Sequence, residues 1–556
     1  MHSFSTKERW ALAGLAILLI PALLVNLGIV PLYVEEPRRA TVALEMLFRD
    51  NWIVPTINGE YYYLKPPFFN WILAGTYYFA GTPSELLTRI PTVVSLVLFG
   101  LVIFLTGKRY VSSSFGALSS LLFVTASGNL FFNSLLAEID MFYSLVTYLG
   151  MICLFHFHQR KKYLLLFLSV YFLGAIGILT KGLPSLVFTG LSVFVFFLVK
   201  KEFRKLFAWQ HFAGIFLFLL ITGGYFMMYS SQGDAVRYLL SLSVESGKRL
   251  SGDTFWDYLG HMLFYPVDTL ANLFPAALFI FFIFRRSFFK DIRSNNFMKF
   301  VLLMLAVHFP VYWLPPGGRQ RYIIMLYPFI IQIFTYFFLL YYEKEKARFR
   351  YFPIIITVII ALGTIACLIP LVLENMQFIN GLWLISISSF LSMGAVFIFL
   401  LKNPEHPVIP LLFAVIILRI VFGLTVLPVR ATEGRAPANR EAALNIAGIV
   451  KSNEVCVLQP TYLPMQTTFY YEKQQGKILP YCDQISAGGY VILEKIFLRD
   501  YSFRREIREL IANPLKPVST PFTGDDEMKL AGADYKTTLE FNLQKRDYLL
   551  VHISDK

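Results

Sequence analysis

The sequence predicts an α-helical, multispanning membrane protein that ends in a small soluble α/β domain. Three observations carry this reading. Of 556 residues, 56% are hydrophobic and 17% aromatic, more apolar surface than a soluble chain of this length would carry. Long uncharged stretches recur from Trp10 to Pro428 and then stop. The basic residues between those stretches gather on alternate loops, which is the charge pattern of a polytopic chain.

Taken in order, the apolar stretches predict about 13 spanning helices. They are Trp10–Leu32, Leu86–Thr106, Phe115–Phe131, Leu136–Phe157, Tyr163–Leu179, Leu183–Val199, Phe212–Tyr229, Thr269–Phe284, Phe300–Leu314, Tyr322–Tyr342, Phe352–Leu373, Leu382–Leu401 and Val408–Leu427. The first is not read as a cleavable signal, since no small-residue cleavage site follows it. Pro67–Gly81 is apolar but reaches only about 22 Å as a helix, short of a roughly 30 Å core. It is expected to lie in the interface, held by Trp71, Tyr77 and Tyr78.

With a cytoplasmic N-terminus, the strongly basic loops all fall inside: Lys108-Arg109, Arg160-Lys161-Lys162, Lys200 to Lys205, Arg285 to Arg293 and Lys344 to Arg350. The long first loop and the C-terminal domain then lie outside. The net charge of +14 is read as cytoplasmic loops facing anionic lipid, with no nucleic-acid partner. The outer loops hold few cations: Arg38, Arg39, Arg49, Lys65, Lys181, Arg237, Lys248, Arg249, Arg319 and Arg321. Topogenesis disfavours them there, so a phosphate held at the outer surface is one reason for them. Salt bridging and headgroup contact are the alternatives.

The chain is expected to divide into residues 1–428, with a functional first outer loop at 33–85, and a soluble domain at 429–556. In that tail Ala438–Lys451 reads as an amphipathic helix, and Phe503–Ala512 as helical. Glu454–Leu458, Tyr490–Leu493, Lys536–Phe541 and Tyr548–Ile553 read as strands. No nucleotide-binding glycine pattern and no metal-ligand spacing is found there. Cys153 and Cys367 lie in apolar segments, whereas Cys456 and Cys482 would be free to pair in an extracytoplasmic tail.

The first loop gathers most of the candidate chemistry. Glu35-Glu36 follows a spanning helix directly, and such a carboxylate can take a proton from a hydroxyl nucleophile. The structural alternative is a helix-start pair that complements the dipole of Pro37–Arg49. Lys65 is fixed by Pro66-Pro67. Asp140, near Glu138, sits at the outer mouth of its span, and Lys181 lies in the tight Thr180-Lys181-Gly182 turn. Gly317-Gly318-Arg319-Gln320-Arg321 places two guanidiniums where they can fork onto phosphate oxygens. His261 and His308 are isolated and read as structural.

Together these positions resemble the polyprenyl-phosphate-dependent glycosyltransferases of the GT-C class, a group that includes aminoarabinose transferases acting on lipid A and protein O-mannosyltransferases. The resemblance rests on Glu35-Glu36-Pro37-Arg38-Arg39-Ala40, Asp50-Asn51-Trp52, Pro55, Asn58-Gly59 and Lys65-Pro66-Pro67-Phe68. Arg89-Ile90-Pro91, Asp140, Thr180-Lys181-Gly182 and Arg321-Tyr322 with Pro328 extend it over about the first 330 residues. Two positions depart from the pattern: the leading acid, usually Asp, is Glu35, and the acid often found before the Lys-Pro block is Leu64. In the aminoarabinose branch that acid helps bind a metal, so no cofactor is assigned and a divalent metal is left open.

The resemblance implies a GT-C fold and transfer of a sugar from a polyprenyl phosphate at the outer membrane face. The acceptor would be a hydroxyl or phosphate on lipid A, another envelope glycan or a protein. Glu35, Asp140 and Glu36 are the catalytic candidates. Lys65, Lys181, Arg249, Arg319, Arg321 and Arg38 are the donor-phosphate candidates. A lipid-linked sugar transporter or flippase, or a non-catalytic membrane protein, is the alternative; a transporter calls for charged groups at span centres, and the sequence offers few.

Overall fold

The computed structural model describes residues 5–247, 254–459, 461–482, 489–495, 535–544 and 546–553. The chain forms two compact units. The first holds residues up to Ile29, Tyr63–Ile72 and Arg89–Val429; the second holds Val30–Tyr62, Leu73–Thr88 and residues from Arg430 onward. Most of the loop at 33–85 therefore shares its unit with the C-terminal residues.

The first unit is helical, and its helices follow the apolar stretches. Length and apolarity qualify nine helices among the described residues to cross a membrane, or up to 11 if each of two bent pairs counts as one span. The other two of the about 13 expected stretches are helical as well. Thr6–Leu24 carries Lys7, Glu8 and Arg9 in its first turn. Pro184–Val199 has 16 residues, about 24 Å of helix. The expected span Thr269–Phe284 is replaced by Phe255–Asn272 and Ala276–Phe282, which meet at 113°. Pro275 lies at that break; it has no N–H to continue a helix. Ser113–Val124 and Ser127–Leu135 also form a bent pair, at 44°.

Local chemistry sets several boundaries. Ser112 caps Ser113–Val124 by accepting the Phe115 N–H, and Asn295 caps Asn296–His308 through the N–H groups of Phe297 and Met298. Gly116 lets that first helix cross Glu85–Tyr110 closely, since a Cβ there would lie 2.4 Å from the Phe104 carbonyl oxygen. Gly182, at φ +82°, ends Tyr163–Lys181 in a conformation that glycine adopts without strain. That stop leaves Lys181 as the last helical residue. Tyr163–Lys181 packs against both Ile139–Gln159 and Trp209–Ser230.

Two helices of more than ten residues in the first unit were not expected from the sequence. Ala235–Gly247 and Phe255–Asn272 occupy a stretch that read as loop. The second starts with a reciprocal cap between Thr254 and Asp257, a signal that was present in the sequence. The apolar stretch Pro67–Gly81 is helical over Phe68–Ala80, with Tyr78 and Phe79 exposed.

In the second unit, helix Glu36–Phe48 precedes a short hairpin, β1 (Thr56–Ile57) and β2 (Glu60–Tyr61). Asn58 and Gly59 form its turn with positive φ at both positions, the backbone that an Asn-Gly pair favours. The C-terminal residues add helices Arg435–Val450 and Met465–Gln475 and a five-stranded mixed sheet. Its strands are β3 (Val455–Leu458), β4 (Tyr481–Cys482), β5 (Tyr490–Glu494), β6 (Tyr535–Leu543) and β7 (Arg546–Ile553), in the order β4-β3-β5-β7-β6. β3 is parallel to both neighbours, while β7 is antiparallel to β5 and β6. Ala40 and Leu44 share one core with Ile446, Phe469, Ile492 and Tyr548. Met465–Gln475 and β4 are additions to the expected elements, and Phe503–Ala512 lies outside the described residues.

Cys456 and Cys482 form a disulfide that joins β3 to β4. Two residues of strand with one partner have little pairing of their own, and the covalent bond holds them. Labelling of the unreduced, denatured protein is expected to count two thiols, from Cys153 and Cys367. Reduction is expected to raise the count to four; four before reduction would reject the bond.

Candidate active site

The first unit brings four of the candidate residues together. Asp140 starts helix Ile139–Gln159, and Lys181 ends the neighbouring helix. Their side chains are 6% and 2% exposed, and Lys181 Nζ donates to Asp140 Oδ1 at 2.5 Å. An ammonium so deeply buried is retained only with a charged partner. It also lies 4.7 Å from the ring centroids of both Tyr143 and Tyr322, which face it from two sides.

Arg321 enters from the start of Gln320–Leu326. Its Nη1 donates to Glu138 Oε1 at 2.7 Å, and its Nε stands 3.8 Å from Asp140 Oδ2. Glu138 and Asp140 are two apart on an extended-to-helix boundary, where Glu138 is the cap residue at ψ 146°. That geometry lets the two carboxylates take one cation each.

Lys65 joins the same electrostatic neighbourhood and acts on Asp140. Its Nζ is 3.9 Å from Glu245 Oε1, with side chains 13% and 24% exposed. The Tyr238 hydroxyl donates to the Lys65 carbonyl at 2.8 Å, so helix Ala235–Gly247 fixes both ends of this lysine. Pro66 and Pro67 are buried behind it. Three cations, Lys65, Lys181 and Arg321, thus face three carboxylates, Asp140, Glu138 and Glu245.

The remaining candidates lie elsewhere. Arg319 is exposed, and its carbonyl accepts from the Tyr265 hydroxyl at 3.4 Å. Arg249 lies outside the described residues. Glu35, Glu36 and Arg38 belong to the second unit. Glu35 is the cap of helix Glu36–Phe48 and pairs with Arg38 at 2.5 Å, both side chains about 30% exposed. Glu36 is fully buried and accepts the Tyr33 N–H at 3.1 Å. Arg39, also buried, donates to the Tyr62 hydroxyl at 2.7 Å. The paired acids thus differ in kind: one is open to solvent and the other is part of the fold.

Glu245, Tyr238 and Tyr143 were not singled out by sequence reasoning. Glu245 sits on an unrecognised helix, and no motif surrounds it. Tyr322 had a signal, since it follows Arg321 directly. Among the described residues no three His, Cys, Asp or Glu side chains stand close enough to hold a metal ion. Leu64 offers no ligand atom at the position where the related pattern carries an acid.

Comparisons with known proteins bear on this arrangement. Residues 64–225 match the family described as dolichyl-phosphate-mannose-protein mannosyltransferase. An uncharacterised protein of Aquifex aeolicus is 26% identical over 315 residues, covering 54% of this chain and 60% of that one. The undecaprenyl phosphate-alpha-4-amino-4-deoxy-L-arabinose arabinosyl transferase of Wigglesworthia glossinidia brevipalpis is 22% identical over 299 residues, 52% of this chain and 51% of that one. The chain thus spans about half the length of the curated relatives it matches. The crystal structure of ArnT from Cupriavidus metallidurans bound to undecaprenyl phosphate superposes with a TM-score of 0.68 at 17% identity, over 97% of this chain and 98% of that one. The fold is the GT-C fold that the resemblance implied.

Proposed function

We propose that this GT-C-fold membrane protein is a glycosyltransferase. It moves a sugar from a polyprenyl-phosphate donor to a hydroxyl or phosphate acceptor at the outer face of a bacterial inner membrane. The acceptor is lipid A, another envelope glycan or a protein. The observation that carries this reading is the partly buried ionic cluster of Lys65, Lys181 and Arg321 with Asp140, Glu138 and Glu245, in which Lys181, Asp140 and Glu138 are buried. A buried network this charged is costly unless it is used. A lipid phosphate leaving group develops negative charge as the glycosidic bond breaks, and preorganised cations stabilise that charge.

The balance of charge assigns roles. Asp140 and Glu138 hold Lys181 and Arg321 rigidly. Glu245 is the looser partner, at 3.9 Å from Lys65 and the most exposed of the three carboxylates. Incoming phosphate takes its place on Lys65. Arg249, Arg319 and Arg38 remain candidates for further phosphate contact. Glu35, open to solvent, is the proposed base toward the acceptor, and Asp140 supports the cations.

Turnover of an undecaprenyl-phosphate-linked sugar by the purified protein tests the reading. Lys65→Ala removes a charge-assisted contact worth about 1.5–3 kcal/mol. It is expected to weaken binding of bare lipid phosphate and to slow transfer, each by about 10- to 100-fold. Wild-type binding by Lys65→Ala would refute the phosphate role. Movement of lipid between leaflets without any transfer would favour a flippase.

The orientation is part of the same proposal. A reporter active only outside the cytoplasm is expected to work when fused after Lys556 and to be silent after Arg204. Activity at both, or at neither, rejects the proposed topology.

A further inference from the structure

Away from the cation cluster, the second unit buries two carboxyl groups that the proposed chemistry does not use. Glu45 lies on helix Glu36–Phe48 and Glu472 on helix Met465–Gln475, and both are 0% exposed. The Glu45 carboxylate is fully served. It accepts from the Thr56 hydroxyl at 2.6 Å, the Asn58 N–H at 2.5 Å and the Gly59 N–H at 3.2 Å. These bonds fold the β1–β2 turn onto the helix.

Glu472 is served on one side only. Its Oε1 accepts the Leu479 N–H at 3.0 Å, and its Oε2 is buried with no hydrogen-bond donor among the described residues. The two helices pack against each other, and the two carboxyls act on one another. Two bare carboxylates so placed in a dry interior repel strongly; a proton on one converts the repulsion into a hydrogen bond. Glu45, with three donors, is the better-stabilised anion, so Glu472 keeps the proton.

Further bonds tie the hairpin to the chain just after Glu472. Asn58 Nδ2 donates to the Leu479 carbonyl at 2.7 Å, and the Tyr481 N–H donates to the Asn58 carbonyl at 3.2 Å. Tyr481 belongs to β4, the edge strand held by Cys482.

We propose that Glu45 and Glu472 share one proton and form a pH-sensitive clasp between the β1–β2 hairpin and the edge of the C-terminal sheet. The proton leaves Glu472 to a solvent base, and no covalent bond other than its O–H breaks. The clasp needs neither donor nor acceptor, so it stands apart from the transfer reading.

The sign follows from the environment. Burial, then the Glu45 charge, push the Glu472 carboxyl well above the ordinary carboxylate range, and burial raises Glu45 as well. A carboxyl raised in the folded state gives stability that is complete at low pH and is lost as pH rises through the raised value. The other titratable groups are Tyr471, which faces Glu472, and Tyr481, which faces Glu45 and is also acted on by Glu60 and Tyr462. Burial pushes both phenols upward, so they stay neutral through this range.

The test is thermal unfolding of the purified full chain in detergent from about pH 5 to about pH 9. Tm is expected to fall by about 4 °C or more toward alkaline pH in the wild type. Glu472→Gln, a permanent donor, is expected to flatten that fall. An unchanged pH profile in Glu472→Gln overturns the proposal. Hydrogen exchange in wild type supplies a readout that needs no variant. Exchange at 54–62 and 476–482 is expected to accelerate with pH beyond the chemical rate, relative to Arg435–Val450. Uniform behaviour would overturn the clasp. Alkaline Tm rescued by added calcium in wild type, and not in Glu472→Gln, would assign the pair to a cation instead and overturn the shared proton.

Discussion

Lys181→Met is expected to be the most damaging single change in the membrane unit. It leaves the Asp140 carboxylate, 6% exposed, with Arg321 Nε at 3.8 Å as its nearest remaining ion-pair partner. Breaking a buried pair from one side costs about 3–5 kcal/mol, enough to lose most folded protein on extraction. Asp140→Asn is expected to be milder. The stranded ammonium keeps the rings of Tyr143 and Tyr322 at 4.7 Å each, and such contacts return about 0.5–2 kcal/mol. The double variant Asp140→Asn with Lys181→Met removes both charges and is expected to recover stability close to wild type. Its transfer rate is expected to stay low, because the cation is gone. Unfolding in detergent and turnover, measured on all three, separate the two effects. A double variant as unstable as Lys181→Met would mean the pair is not the reason for the loss. A double variant that transfers sugar normally would remove Lys181 from the reaction.

Much of this cluster was legible in the sequence, and the reason is topogenic. Cations in loops that the charge alternation reads as outer run against the bias of membrane insertion, so Lys65, Lys181 and Arg321 stood out before any fold was known. Of their partners, Asp140 and Glu138 stood out beside a span mouth, whereas Glu245 did not. Glu245 lies on Ala235–Gly247, an amphipathic helix whose apolar face is shorter than a span and whose polar face reads as loop. The bend at Pro275 was hidden for a related reason: an apolar window averages over the residues that break a helix, so Thr269–Phe284 looked continuous. In the tail, β-strand periodicity was visible in Val455–Leu458 and Tyr490–Glu494. A two-residue strand such as Tyr481–Cys482 has no periodicity to read, and only its cysteine marked it. The buried pair Glu45–Glu472 joins residues more than 400 positions apart, and no local rule connects them.

Glu35→Gln is expected to lower sugar transfer by about 10²–10⁴-fold, the range for losing a general base, with binding of lipid phosphate nearly unchanged. The structure gives a reason to separate it from Glu36, which the sequence alone did not. Glu36 is buried and its carboxylate accepts the Tyr33 N–H, so its charge serves the backbone at the helix start. Glu35 is about 30% exposed, and it pairs with Arg38 three residues on. An exposed pair of that kind is worth about 0–1 kcal/mol, so it yields readily to a hydroxyl that needs a proton acceptor. Glu36→Gln is therefore expected to act mainly on folding, lowering Tm while the rate per folded molecule falls much less. Arg38→Ala is expected to change the rate by less than about fivefold if Arg38 only orients Glu35. A larger loss, with weaker lipid-phosphate binding, would instead place Arg38 on the donor. Turnover per folded molecule and lipid-phosphate binding, read side by side, decide among these. Wild-type turnover by Glu35→Gln would remove it as the base, and a rate loss confined to Glu36→Gln would transfer that role to the buried member of the pair.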